Sequence, residues 1–347
     1  MAADLTTSGL TDPDFAHDTA HHPLPSFQRQ GAPVSQPSSL SVGPQRPGHT
    51  SALAAAHAAM DLAVEHVLRH PPRQIRYKGD RDPVSEVDDT VEQLIRQCLT
   101  SGDGTEIGFL GEETGAIGNR DTYWVLDPID GTINHQHGNP LCAIALGLVH
   151  HEQPVLGVTA LPFLGHRYSA TEGHGAFRDD EPITASSTDR LDTALIGFND
   201  YGSGDDAGLR DVLCASLDHA ITARAQGLRR FGSSALDLVW VADGTLDACV
   251  LLGNRTWDTA AGAVLAREAG ALVLDSDTSP HSVRSRCAIA TSPGLRDDLM
   301  PLLQPLWGTR FWPGRDQTSR DSVPDAPPDG TGSTSRGDAP NSSPAIT

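Results

Sequence analysis

Trp124-Val-Leu-Asp127-Pro-Ile-Asp130-Gly-Thr132-Ile-Asn134 is the stretch on which the reading of this chain turns. The apolar run Tyr123 to Leu126 reads as a short buried strand that stops at a turn carrying two carboxylates three residues apart. Pro128 fixes its own φ and biases Asp127 towards an extended conformation. Gly131 lets the backbone approach a ligand. A buried strand that delivers two bare acids to one turn is expensive, because carboxylates are costly to desolvate. Divalent cations remove that cost, and oxygen-only ligands suit Mg²⁺. The plainer alternative is a surface loop in which an Asp caps a helix starting near Gly131.

Working outward, three more places carry acids in comparable settings. Glu112 and Glu113 follow the apolar run Ile107 to Leu110 and Gly111. Asp258 lies in Trp257-Asp258-Thr-Ala-Ala-Gly262, at the first turn of an apolar helix. Asp82 and Asp88 flank Pro83-Val-Ser-Glu-Val. Each also has a bland reading. Asp258 caps its helix and complements its dipole, Glu112-Glu113 is a solvated loop, and Asp88 is an acid in the first turn of its helix. The combination points to a metal-binding set.

The periodicity around these motifs gives helices at Leu53–Val67 (capped by Ser51, ended by Pro71-Pro72), Val87–Cys98, Leu209–Ala220, Ser234–Ala242, Trp257–Ala269 and Arg296–Leu303. Strands are expected at Ile107–Leu110, Cys142–Val149, Val155–Ala160, His166–Ala170, Ala194–Phe198, Leu246–Leu252, Ala271–Leu274 and Cys287–Ala290. The breaks between the second, third and fourth of these suit antiparallel hairpins. Helices and strands come in blocks, which argues for stacked layers of sheet and helix and against a simple Rossmann sheet.

Taken in order, the motifs resemble the inositol monophosphatase-like, lithium-sensitive, Mg²⁺-dependent phosphatases. The resemblance rests on Gly111-Glu112-Glu113, on the stretch quoted first, and on Trp257-Asp258-Thr-Ala-Ala-Gly-Ala-Val-Leu-Ala-Arg-Glu268-Ala-Gly270. Asp82-Pro-Val-Ser-Glu-Val-Asp88 and Gly173-His-Gly175-Ala-Phe177 match the family's N-terminal motif and hairpin, so that the similarity covers 51–303. It implies an α/β (α+β layered) fold, a five-layer α-β-α-β-α sandwich, and commonly a homodimer. It implies that Glu112, Asp127 and the carbonyl of Ile129 hold one Mg²⁺, that Asp127 bridges to a second held also by Asp130 and Asp258, and that a third, weaker ion has room near Glu112. Thr132 with Glu112 would orient and deprotonate the attacking water, with Asp88 behind the Thr132 hydroxyl. Gly131 and Thr132 would bind phosphate oxygens through their backbone N–H groups, while Asp130, Gly232, Ser233, Ser234 and Arg255 face the substrate.

These residue types suit the chemistry. A phosphate monoester dianion repels nucleophiles, and two metals about 4 Å apart neutralise it and activate a water without a covalent intermediate. No G-x-S-x-G elbow surrounds Ser233 and Ser234, which read as helix-capping or substrate-contacting residues. His135 and His137 read as wall residues, and Lys78 as either a metal-rim or a solvent residue. Substrate choice lies between the motifs. Inositol-specific members usually carry a glutamate seven residues before the aspartate of the second long motif, and Leu251 stands there. His135 stands where the family often has Phe or Tyr. Arg229, Arg230 and Arg255 could favour a second phosphate or carboxylate. Inositol monophosphate leads as the expected substrate, with histidinol phosphate and 3′-phosphoadenosine 5′-phosphate as alternatives. A non-catalytic binding member of the fold is the rival of a different class.

Acids outnumber Lys and Arg 45 to 25 in the 347 residues, for a formal net charge of −20. That balance works against nucleic acid and anionic membranes as partners but allows a small phosphorylated metabolite where metal supplies positive charge. Five scattered cysteines without a C-x-x-C, and no apolar run of about 18 residues, fit a soluble cytoplasmic protein. Residues 1–50 and 314–347 are rich in Pro, Ser and Gly and are expected to be disordered, with His17, His21 and His22 solvated. The remainder divides into an N-terminal α+β subdomain, 51–185, with most metal ligands, and a C-terminal α/β subdomain, 186–313, with the substrate pocket.

Overall fold

The computed structural model describes residues 48–79, 81–100, 107–199 and 207–306, all within one compact unit, Arg46–Thr347. The expected disordered tails fall outside these residues, except that 48–50 already belong to the first helix.

That helix, α1 (Gly48–Arg69), buries Ala56, Met60, Ala63 and Val67, one face at helical spacing. Ser51 lies within its first turn instead of capping it. A hairpin follows, β1 (Ile75–Gly79) with β2 (Asp82–Ser85), then α2 (Glu86–Thr100). Glu86, Asp88 and Asp89 occupy the first turn of α2, where acids complement the helix dipole, while Val87, Val91 and Ile95 face the core. β3 (Gly108–Gly111) and β4 (Gly115–Ile117) precede β5 (Thr122–Asp130) and a short helix α3 (Thr132–Gln136). The strand expected to stop at Leu126 runs on to Asp130. Asp127 pairs with Ala145 and Asp130 with Ala143, and a register shift between them absorbs Pro128, which has no N–H for the ladder.

β6 (Ala143–His150), β7 (Gln153–Leu161) and β8 (His166–Thr171) form the expected antiparallel hairpins, continued by β9 (Ala176–Arg178) and β10 (Glu181–Pro182). Next come β11 (Leu195–Phe198), α4 (Ala207–Thr222), β12 (Gly227–Arg229), α5 (Ser234–Ala242), β13 (Ala248–Leu252) and α6 (Thr256–Glu268). β14 (Leu272–Leu274) and β15 (Cys287–Thr291) complete the strands, and the last expected helix is α7 (Arg296–Leu299) continued by a 3₁₀ segment, Met300–Leu306.

Among the described residues, two large sheets form, β10-β9-β8-β7-β6-β5-β3-β4 and β12-β11-β13-β15-β14. Among the described residues, apolar cores separate five layers. α1 and α2 pack on one face of the first sheet through Met60, Ile95, Ile144, Leu146 and Val158. α5 and α6 lie between the sheets, with Leu238, Val264, Tyr168 and Leu251 in one continuous core. α4 and the C-terminal helical turns cover the far face of the second sheet through Phe198, Leu217, Ile289 and Leu303. The fold is a layered α/β sandwich, α-β-α-β-α.

Candidate active site

Three elements end at one place. β3 stops at Gly111 and hands over Glu112 and Glu113, while β5 runs parallel to it, Gly111 opposite Leu126, and carries Asp127 and Asp130. α6 brings Asp258 in its first turn, where the carboxylate accepts the Arg255 N–H at 2.8 Å. Asp258 therefore caps its helix and also faces the other acids.

The charges of these acids bear on one another. Burial, then the charges of Glu112, Asp130 and Asp258, hold the Asp127 carboxyl well above the usual carboxylate range. Burial and then Asp130 push Asp258 up to about 8. Burial pushes Glu112 up to about 7 although Lys78 pulls it down. Lys78, on β1, places its Nζ 2.6 Å from Glu112 Oε1 and 2.9 Å from Glu113 Oε1, so it belongs to the rim of the site. Burial also raises Asp130, offset by hydrogen bonds that its Oδ2 accepts from Ser233 Oγ (2.7 Å) and the Ala235 N–H. Among the described residues, no three His, Cys, Asp or Glu side chains stand together so as to enclose an ion. The donor set still fits a hard divalent cation: it is all oxygen, largely buried, and repels itself in a way that only added positive charge relieves.

Beside the acids, Thr132 Oγ1 lies 2.9 Å from the Ile129 carbonyl and 3.3 Å from Asp88 Oδ1. Asp88 is itself buried and held by the Ser85 N–H (3.0 Å) and hydroxyl (2.5 Å). With its proton directed to either acceptor, the Thr132 hydroxyl keeps lone pairs to accept a hydrogen bond from a water. Gly131 has φ +89°, and a Cβ there would sit 3.1 Å from both the Gly232 and Leu141 carbonyls. The turn is thus pressed against the segment entering α5. Ser233 is the N-cap of α5, accepting the Leu236 N–H at 3.2 Å while donating to Asp130, which is a structural bridge and not a nucleophile's setting. Ser234 opens α5, half-buried.

Of the three arginines, Arg255 is exposed beside Asp258. Arg230 is engaged elsewhere, donating to the Asn199 carbonyl (2.6 Å) and Asp218 (3.0 Å) and stacking over Phe198. Arg229 is exposed and bonds the neighbouring Leu228 carbonyl. Leu251 is fully buried between sheet and helices and presents nothing polar. His137 is exposed, while His135 is buried with neither ring nitrogen partnered, against the Phe163 ring at 5.9 Å. Asp82 sits at the turn end of the β1–β2 hairpin, opposite Gly79.

Sequence reasoning missed Glu92. This buried carboxylate on α2 accepts the Glu113 and Thr114 N–H groups at 2.8 Å each and fixes the turn that presents Glu112. A Cβ on Gly111 would fall 2.3 Å from its carboxyl carbon, so the glycine is required for that approach. The signal was available: Glu92 lies four residues after Asp88, on the edge of the Val87-Val91-Ile95 stripe.

Comparison with known proteins adds the following. Residues 46–307 match the family described as the inositol monophosphatase family. The chain is 35% identical over 261 residues to the inositol-1-monophosphatase ImpA of Mycolicibacterium smegmatis, covering 74% of this chain and 92% of that protein. It is 36% identical over 252 residues to the probable inositol 1-monophosphatase ImpA of Mycobacterium tuberculosis, covering 72% and 92%. Among solved structures, the extragenic suppressor protein suhB of Bartonella henselae superposes with a TM-score of 0.68 at 30% identity, over 73% of this chain and 98% of that one.

Proposed function

Since the chain belongs to the inositol monophosphatase family, we propose that it is a Mg²⁺-dependent phosphomonoesterase that hydrolyses a small hydroxylated metabolite, inositol monophosphate foremost. The observation that carries this reading is that the charges of Glu112, Asp130 and Asp258 all bear on the buried Asp127, beside the Thr132–Asp88 pair. Relatives described as inositol 1-monophosphatases support the substrate.

Glu112, Asp127, the Ile129 carbonyl, Asp130 and Asp258 would hold two Mg²⁺, with Glu112 also beside a third. Bound there, the ions would neutralise the ester dianion and lower the pKa of a water. Thr132 orients that water, Asp88 fixes the Thr132 hydroxyl, and Glu112 accepts its proton. Backbone N–H groups of Gly131 and Thr132 take phosphate oxygens, and the segment from Gly232 to Ser234 with Arg255 borders the alcohol half. Lithium inhibition, a homodimer and a cytoplasmic location belong to the same reading. Among the described residues no helix is long and apolar enough to cross a membrane.

Leu251 favours a second reading. A site lacking that acidic acceptor loses discrimination for an alcohol needing it, which brings in histidinol phosphate and 3′-phosphoadenosine 5′-phosphate. Phosphate release with Mg²⁺ from these two, inositol 1-phosphate and fructose 1,6-bisphosphate separates them. Preference for inositol 1-phosphate in kcat/KM supports the first reading and preference for another ester the second. No release from any, with Mg²⁺ bound, would favour a non-catalytic member.

A further inference from the structure

The end of α1 carries two histidines four residues apart, His66 in the last turn and His70 just past it. Side chains at that spacing lie one above the other on a helix surface, and the two rings stack with centroids 4.2 Å apart at 21°. The backbone holds the second ring in place. The His70 N–H donates to the His66 carbonyl at 3.0 Å, and His70 Nδ1 lies 2.9 Å from the same oxygen. A carbonyl only accepts, so Nδ1 carries the ring proton and Nε2 keeps a bare lone pair. Metal-ligating histidines are held in this way, one nitrogen tied to an acceptor that fixes the tautomer and the other free.

His66 supplies the second donor. Among the described residues, neither of its ring nitrogens has a hydrogen-bond partner or is sealed from solvent. Burial and then the His70 ring lower its pKa below 6.5, so at neutral pH it is an uncharged imidazole with a lone pair to give. Two cis nitrogens at about 2.0–2.1 Å from one ion lie about 3 Å apart, and a small rotation about χ2 brings a 4.2 Å stack to that spacing.

The surroundings favour a cation. α1 is 22 residues long, and its carbonyl end carries the negative pole of the helix dipole. Pro71 and Pro72 follow, neither with an N–H to offer those carbonyls. Arg69, on the same turn, is paired with Glu65 at 2.5 Å. The donors then select the ion. Imidazole suits Cu²⁺, Ni²⁺ and Zn²⁺, whereas Mg²⁺ takes oxygen, so this pair and the acid cluster serve different metals.

We propose that His66 and His70 form a bidentate site for a divalent transition-metal ion, Cu²⁺, Ni²⁺ or Zn²⁺, with water completing its coordination. Isothermal titration of the full chain with Ni²⁺ tests it, in excess Mg²⁺ to occupy the acid cluster. The background is His17→Ala/His21→Ala/His22→Ala, which removes the histidines nearer the N-terminus. One ion should bind per chain at the tightest site, and further Mg²⁺ should not weaken it. His66→Ala and His70→Ala should each weaken that site at least about tenfold, because either change turns a chelate into a single ligand. The double variant should lose little more than either single one. His150→Ala/His151→Ala is the control, since those rings also lie close, at 4.1 Å, but on a strand turn where His150 Nδ1 is bonded to Thr122. It should leave the site unchanged. Wild-type affinity in His66→Ala or His70→Ala, displacement of Ni²⁺ by Mg²⁺, or loss of the tightest site in the control would each overturn the assignment.

Discussion

Replacing Glu92 by Gln exchanges one carboxylate oxygen for an NH₂ group, and the structure predicts a double effect. The Glu92 carboxylate receives two backbone N–H groups, one on each oxygen, from Glu113 and Thr114. Glutamine keeps one acceptor and turns an NH₂ towards the other amide. Losing a charge-assisted hydrogen bond and leaving a buried donor unpaired costs about 2–4 kcal/mol. For a chain of this size each kcal/mol lowers Tm by about 2–4 °C, so calorimetry should show a fall of about 4–16 °C. Because that turn presents Glu112, kcat should fall at least about tenfold with KM changed little, as expected when a group acting in the transition state is misplaced. Glu268→Gln is the matched control, since Glu268 likewise receives two amides, from Gly173 (2.9 Å) and Gly175 (2.8 Å), away from the acid cluster. It should lose stability and keep kcat. Equal losses of kcat in both variants, or an unchanged kcat in Glu92→Gln, would refute the positioning role.

Two other outcomes follow from buried histidines. His135→Phe should raise stability by about 1–2 kcal/mol, because two buried, unpartnered ring nitrogens disappear beside Phe163; a lower Tm would show that an unseen partner satisfies them. Burial, with Arg267 nearby, lowers the His281 pKa from 6.5 to about 3. The unfolded chain protonates first as pH falls, so stability present above about pH 6.5 declines by about 1.4 kcal/mol per unit towards pH 3. Subtracting denaturation curves of His281→Asn isolates this slope from that of the raised acids, which runs in the opposite direction, and identical slopes in the two proteins would contradict it.

Much of the site was legible because its residue types are costly anywhere else. Acids at the end of an apolar run, as at Asp127 and Asp130, have few innocent uses, and the structure brings them within electrostatic reach of Glu112 and Asp258. Layering was legible from blocks of period-two and helical patterns. What escaped was information carried by partners distant in sequence. The apolar run ending at Leu126 argued for a strand end, whereas a register shift against β6 carries β5 through to Asp130. The β1–β2 hairpin has a largely exposed first strand, so no alternation marked it, and the choice for Lys78 between metal rim and solvent stayed open without it. Glu92 escaped because its two amide partners, on Glu113 and Thr114, lie more than twenty residues away. Arg230 offered a free cation in sequence but is committed to Asn199 and Asp218.

The central claim is that the acid cluster is a cation-dependent hydrolytic centre. It is tested most directly by measuring phosphate release from inositol 1-phosphate by chelator-stripped protein, before and after Mg²⁺ is restored, with Asp130→Asn alongside. The account predicts no release from the stripped protein, recovery with Mg²⁺, and a rate at least about a hundredfold lower in Asp130→Asn at saturating Mg²⁺. Undiminished release after stripping, or near-normal turnover by Asp130→Asn, would contradict it.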